Sequence, residues 1–92
     1  MPEVRFMVNW PDGSNRVCYS PSTVIHDYLT AEEALPVSEF LTRATAGLDA
    51  ASTRVAKLYG RPCAIAEREA REIATAARRQ PPDGTVTIEF LR

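Results

Sequence analysis

Between Val37 and Tyr59, apolar residues return every third or fourth position: Val37, Phe40, Leu41, Ala44, Leu48, Ala51, Val55, Leu58 and Tyr59. That spacing places them on one stripe of a long helix, and such a stripe needs another element to cover it. Gly60 is placed to stop the helix, and Arg61-Pro62 to restart the chain. A second helix is predicted from Pro62 to Arg79, with a narrow stripe of Ile65, Ala66, Ala70, Ile73, Ala74 and Ala77. Its small residues let the two helices lie close. On its polar side Glu67 and Arg71 stand at i,i+4, a pairing worth about 0.2–0.5 kcal/mol. The run QPPDG then breaks the helix.

The covering element is a sheet. Val4, Phe6, Val8 and Trp10 alternate with polar or exposed positions, the period of a strand with one buried face. Pro11-Asp12-Gly13-Ser14 has turn chemistry: proline pre-sets its φ and glycine accepts positive φ. A second strand, Asn15 to Tyr19, is expected to return antiparallel. With a four-residue loop Trp10 would face Asn15, Val8 would face Val17, and Phe6 would face Tyr19. Phe6, Val8, Val17 and Tyr19 would then share the buried face, with Met7 and Cys18 on the other. Ser20-Pro21-Ser22-Thr23 ends the strand. Val24 to Leu29 fits either a short helix capped by Ser20 or an irregular, partly buried connection. Thr30 and Glu33 have capping-box spacing, but Pro36 cuts short any helix begun there. Val86, Ile88 and Phe90 alternate in a last strand.

The expected fold is therefore α+β: a two-layer ββααβ sandwich, with a three-stranded sheet in order 2-1-3 and two helices on one face. In that order the last strand is an unprotected edge. The 92 residues are read as a single domain, residues 1–92. Eleven basic and twelve acidic residues give a net charge of −1, so there is no electrostatic case for nucleic acid or an anionic membrane. No run approaches the length of a membrane span, and the first residues lack the pattern of a signal peptide. The expected location is cytoplasmic, which argues against a structural disulfide between Cys18 and Cys63.

Candidate sites are few. Cys18, His26 and Cys63 lack zinc-site spacing, so no metal and no cofactor is expected. His26 and Asp27, with Glu32 and Glu33, could form an acid–base or hard-metal cluster, although acidic residues before a helix are usually only solvated. Cys63 falls in the first turn of the second helix, where free amides and the helix dipole lower a thiol pKa. The plainer reading is a packed small residue. On the outer sheet face Met7, Cys18 and Leu91 would form an apolar patch suited to another chain.

The segments MPEVRF, WPDG, CYSPS with VIHDYL, SEFLTRA and YG..C resemble a family of small bacterial nitrogen-starvation-response proteins. The match keeps order and spacing through Cys63 and continues beyond Ala64 in element type. Trp10, Asp12, Gly13, Cys18, Tyr19, Ser20, Pro21, Ser22, Asp27 and Tyr28 fit its pattern. The resemblance implies a gene context of nitrogen scavenging, beside a nitrilase, a radical SAM protein, an acetyltransferase and a flavoprotein, in some cases with cyanide assimilation. It transfers no catalytic residue.

Two functions stand first. One is a non-enzymatic accessory protein that contacts itself as a dimer or a nitrilase-cluster enzyme, through Met7, Trp10, Cys18, Tyr19, Tyr28 and Leu91. The other is a small thiol-dependent enzyme using Cys18 or Cys63 with His26 and Asp27. A small-molecule sensor with a pocket near Trp10 and Tyr28 is a third.

Overall fold

In the computed structural model, which describes residues 3–61, 64–81 and 83–92, two helices pack on one face of an antiparallel sheet. The elements are β1 (Val4–Asn9), β2 (Asn15–Ser20), a 3-10 helix (Thr23–Asp27), β3 (Ala34–Pro36), α1 (Val37–Tyr59), α2 (Ala64–Arg78) and β4 (Thr85–Leu91). The sheet has four strands in order β2-β1-β4-β3, not three in order 2-1-3. The extra strand is Ala34-Leu35-Pro36, too short to show a period and ending in the proline that leads directly into α1. It pairs with Thr85–Thr87, and the adjoining backbone adds Ile88 N–H to Glu33 carbonyl at 3.0 Å. The last strand is therefore not the expected open edge.

The hairpin forms, with a register one residue away from the expected one. Val8 faces Arg16, Phe6 faces Cys18 and Met7 faces Val17. Trp10 N–H bonds the Ser14 carbonyl at 2.8 Å, and Gly13 N–H bonds the Trp10 carbonyl at 3.0 Å. The loop is thus three residues, Pro11-Asp12-Gly13, with Gly13 at φ 91°, the arrangement of a tight turn followed by a left-handed glycine. Ser14 belongs to the ladder rather than the loop. Because side chains alternate, this single step turns every β2 residue to the other face. Cys18 goes into the core, while Val17 and Tyr19 come out.

A second irregularity lies in β4. Val8 pairs with Ile88 but Met7 pairs with Phe90, so Glu89 has no counterpart in β1. Beyond this bulge the faces exchange. Leu91 stands opposite Phe6 and packs against the core, while Phe90 stands opposite Met7. Leu91 is therefore not part of an outer patch with Met7.

The core between sheet and helices contains Val4, Phe6, Val8, Trp10, Cys18, Ile25, Leu29, Phe40, Leu48, Ile73, Val86 and Ile88. Trp10 meets the Phe40 ring edge-on, with centroids 5.6 Å apart and planes at 89°. The connector between β2 and β3 closes onto α1 at Gly47. A Cβ there would lie 2.5 Å from Ile25 Cδ1 and 3.1 Å from Tyr28 Cβ. Its 3-10 helix is capped by Ser22, not Ser20; the Ser20 hydroxyl instead donates to the Ser22 carbonyl at 2.8 Å. Arg43 fixes the far end of the connector by bonding both Glu33 and Glu39.

Gly60 ends α1 at φ 84°, as its position predicts. Burial in α1 stops earlier, at Ser52, and Leu58 and Tyr59 are exposed rather than in the stripe's core. A helix of 23 residues is about 34 Å long, whereas strands of six or seven residues span roughly 20–23 Å. The helix outruns the sheet that covers it. Among the described residues, no helix is long and apolar enough to cross a membrane.

Candidate functional site

The thiol candidates separate cleanly. Cys18 is fully buried opposite Phe6. Burial pushes its pKa up to about 12, against the opposing pull of Arg16. A thiol so placed is protonated at neutral pH and out of reach of solvent, unsuited to nucleophilic work. Cys63 and the helix start at Pro62 lie outside the described residues. His26 and Asp27 project to solvent from the 3-10 helix. Glu33, expected beside them, is tied to Arg43 at 3.1 Å. No group of three His, Cys, Asp or Glu side chains among the described residues is placed to hold a metal. Trp10 is taken up by the core and Tyr28 packs against it, half-buried, beside Gly47. The structure thus does not bring Cys18, His26 and Asp27 together at one surface.

What the structure does assemble lies on the open face of the sheet. Val17, Met7 and Phe90 form a row across β2, β1 and β4, each directly opposite the next. Val17 is 48% exposed, and Met7 and Phe90 are half-buried. Tyr19 stands next in β2, opposite Arg5. The Arg92 guanidinium lies 4.7 Å from the Phe90 ring centroid, a cation–π contact worth about 0.5–1 kcal/mol at an exposed site. Arg5 pairs with Glu3 at 3.1 Å. The face is an apolar row rimmed by arginine. Met7 lies on this outer face as expected, and Tyr19, expected on the buried face, comes to it through the corrected register. Val17 and Phe90 replace Cys18 and Leu91.

The edge beside this row is also distinctive. Arg5 exchanges backbone hydrogen bonds with Arg92, at 2.9 and 2.8 Å, so its amide and carbonyl point toward β4. Antiparallel ladders alternate. Asn15 and Val17, like Tyr19, therefore direct their backbone groups away from β1. On the helix-facing side of β2, Arg16 bonds Glu69 at 2.5 Å and also bonds Glu72. This hydrogen bond and the guanidinium charge hold the Glu72 carboxyl below the usual range. Glu69 is nearly buried, so the cluster fixes β2 to α2. The expected Glu67–Arg71 pair is not among the ion pairs of the described residues, and the bridge that anchors α2 uses Arg16, Glu69 and Glu72 instead. Arg16, Glu69 and Glu72 were hidden from sequence reasoning because their contact depends on the register of β2.

At the turn, Asp12 accepts from the Ser14 hydroxyl at 2.6 Å and the Ser14 amide at 2.9 Å. Gln80 binds it twice, donating to its carboxylate at 3.1 Å and accepting from its amide at 3.3 Å. The Ser14 hydroxyl, the Ser14 amide and Gln80, in that order, draw the Asp12 pKa down. The WPDG segment is thereby explained by structure: a core tryptophan, a turn proline, a clamp and a left-handed glycine.

A family model described as "Nitrogen starvation-induced protein NitG" matches residues 5–91. The chain belongs to this family. The match spans nearly every element described above, from the first strand to the last, and agrees with the resemblance carried by the WPDG and CYSPS segments. No curated protein and no solved structure matches the chain. In this chain the residues of these segments serve folding: Cys18 and Trp10 build the core, and Asp12 and Gly13 build the turn.

Proposed function

We propose that this NitG-family chain is a non-enzymatic accessory protein of a nitrogen-starvation pathway, acting by contact with another protein. The observation that supports this most is the row Val17–Met7–Phe90 on the uncovered sheet face, apolar side chains in a place where sheets otherwise carry polar ones. Family membership supplies the physiological setting. The implied gene context supplies candidate partners, a nitrilase or radical SAM protein of nitrile or cyanide nitrogen scavenging. The burial of Cys18 weighs against the alternative of a thiol-dependent enzyme that uses this residue.

Co-expression of the tagged chain with the nitrilase and the radical SAM protein of its pathway tests this reading. The wild type is expected to retain one of them through purification, and Met7→Lys/Val17→Lys to release it while keeping its folded circular dichroism spectrum. Retention of neither enzyme by the wild type would remove the accessory reading.

A further inference from the structure

The outer edge of β2, which no described strand pairs, separates two unlike surfaces. On the outer side lies the apolar row that begins at Val17. On the helix side lies an open groove of about 470 Å³, lined by Arg16, Arg71, Glu72, Thr75, Ala76 and Arg79. Glu72 is already engaged by Arg16. Arg71 and Arg79 are exposed and have no ion pair among the described residues. The groove therefore has an excess of positive charge.

We propose that β2 accepts an extended strand of a partner protein whose side chains alternate between apolar and acidic. This rests on the protein-contact reading above and specifies its surface and the partner's chemistry. A strand added to an edge bonds through its backbone and presents alternate side chains to the two faces. The outward amides and carbonyls of Asn15 and Val17 supply the backbone template. Side chains on the outer face then extend the Val17–Met7–Phe90 row, and those on the other face enter the arginine-lined groove. Apolar residues suit the first and carboxylates the second.

The same geometry disfavours a second copy of this chain. Pairing β2 with β2 would put another Arg16 on the groove side and bring a second Arg71 and Arg79 to the interface, like charge against like. The charge pattern thus selects a foreign acidic strand over a symmetric dimer.

Three synthetic peptides of about ten residues, the length of a long strand, test the proposal with the full chain. One alternates valine with glutamate, one alternates valine with lysine, and one contains the valine–glutamate composition in blocks. Fluorescence anisotropy is expected to show binding of the first, weakening as salt is raised, and binding of the other two weaker by about tenfold or more. Arg71→Glu/Arg79→Glu should abolish the preference for glutamate over lysine. Val17→Pro, which removes an outward donor without touching the groove, should abolish binding of all three. Equal binding of the glutamate and lysine peptides overturns the proposal, as does a glutamate peptide that fails to bind. So does sedimentation of the wild type as a β2-mediated dimer that Val17→Pro disrupts. If instead a pathway enzyme co-purifies undiminished with Arg71→Glu/Arg79→Glu and with Val17→Pro, this strand-addition site is wrong while the accessory reading stands.

Discussion

The two edges of the sheet are built on opposite plans. At one, β3 is three residues long, ends in Pro36 and runs straight into α1. Its connector is held down by Ile25 and Tyr28 against Gly47, and by Glu33 on Arg43. At the other, β2 extends six residues without a proline and directs neutral Asn15 and Val17 outward. Its one charged side chain, Arg16, is turned inward to Glu69 and Glu72. Natural sheets protect edges by short strands, prolines and outward charges. The β3 edge uses two of these devices, and on β2 the outward positions have none. An edge without these devices is the kind that can template pairing, which is the basis of the strand addition proposed above, and the row of Val17, Met7 and Phe90 lies beside it.

The largest expected effect comes from forcing the closed edge open. In Gly47→Val the new side chain would press into Ile25 and Tyr28. Overpacking of this kind costs about 1–3 kcal/mol, more than the helix propensity regained by removing glycine. Thermal unfolding should shift downward, and the Ile88 amide, bonded to the Glu33 carbonyl, should lose exchange protection before the amides of β1. An unchanged melting temperature would mean that the connector does not depend on the close approach at residue 47.

Gly13→Val addresses the open edge from its turn. Gly13 has φ 91° with open space around its Cα, so the cost is backbone strain rather than collision. A left-handed conformation costs an L-residue about 1–2 kcal/mol, and a β-branched one is a poor occupant. Equilibrium denaturation should register that loss; a variant as stable as the wild type would contradict the three-residue loop on which the β2 register depends.

How much of this was legible beforehand follows from the same residues. The long stripe from Val37, the helix before QPPDG and the alternation of β1 repeat over many residues and stand, as does the stop at Gly60; in β4 the alternation holds at Val86 and Ile88 and fails at Phe90. The register of β2 turned on one residue, Ser14, which has loop chemistry but joins the ladder because Gly13 completes the turn. That one step reversed the positions of Cys18, Val17 and Tyr19. The bulge at Glu89 did the same to Phe90 and Leu91, with no glycine or proline to signal it. Ala34–Pro36 is too short for any period. Even the helical stripe overstated burial at Leu58 and Tyr59, since a periodic pattern does not show where the covering sheet ends.

A smaller effect concerns the clamp at the turn end of the open edge. The Asp12 carboxyl is held below its ordinary value of 3.8, first by the Ser14 hydroxyl and amide and then by Gln80. A depressed folded-state pKa adds stability that is present above 3.8 and is lost as pH falls through the lower folded value. The stability difference between wild type and Asp12→Asn, followed by denaturation at successive pH values, should therefore shrink on acidification below 3.8. A difference that grows instead would show that the carboxylate is not the stabilised form.

Amide hydrogen exchange on the free chain compares the two edges most directly. Arg16 and Cys18, whose amides point to β1, are expected to exchange slowly, and so is Ile88, covered by the β3 connector. Asn15 and Val17 should exchange rapidly, their outward amides open to solvent until a partner strand covers them. Slow exchange at Val17 with fast exchange at Cys18 would restore the other register, and slow exchange at all of them would show that the β2 edge is already closed.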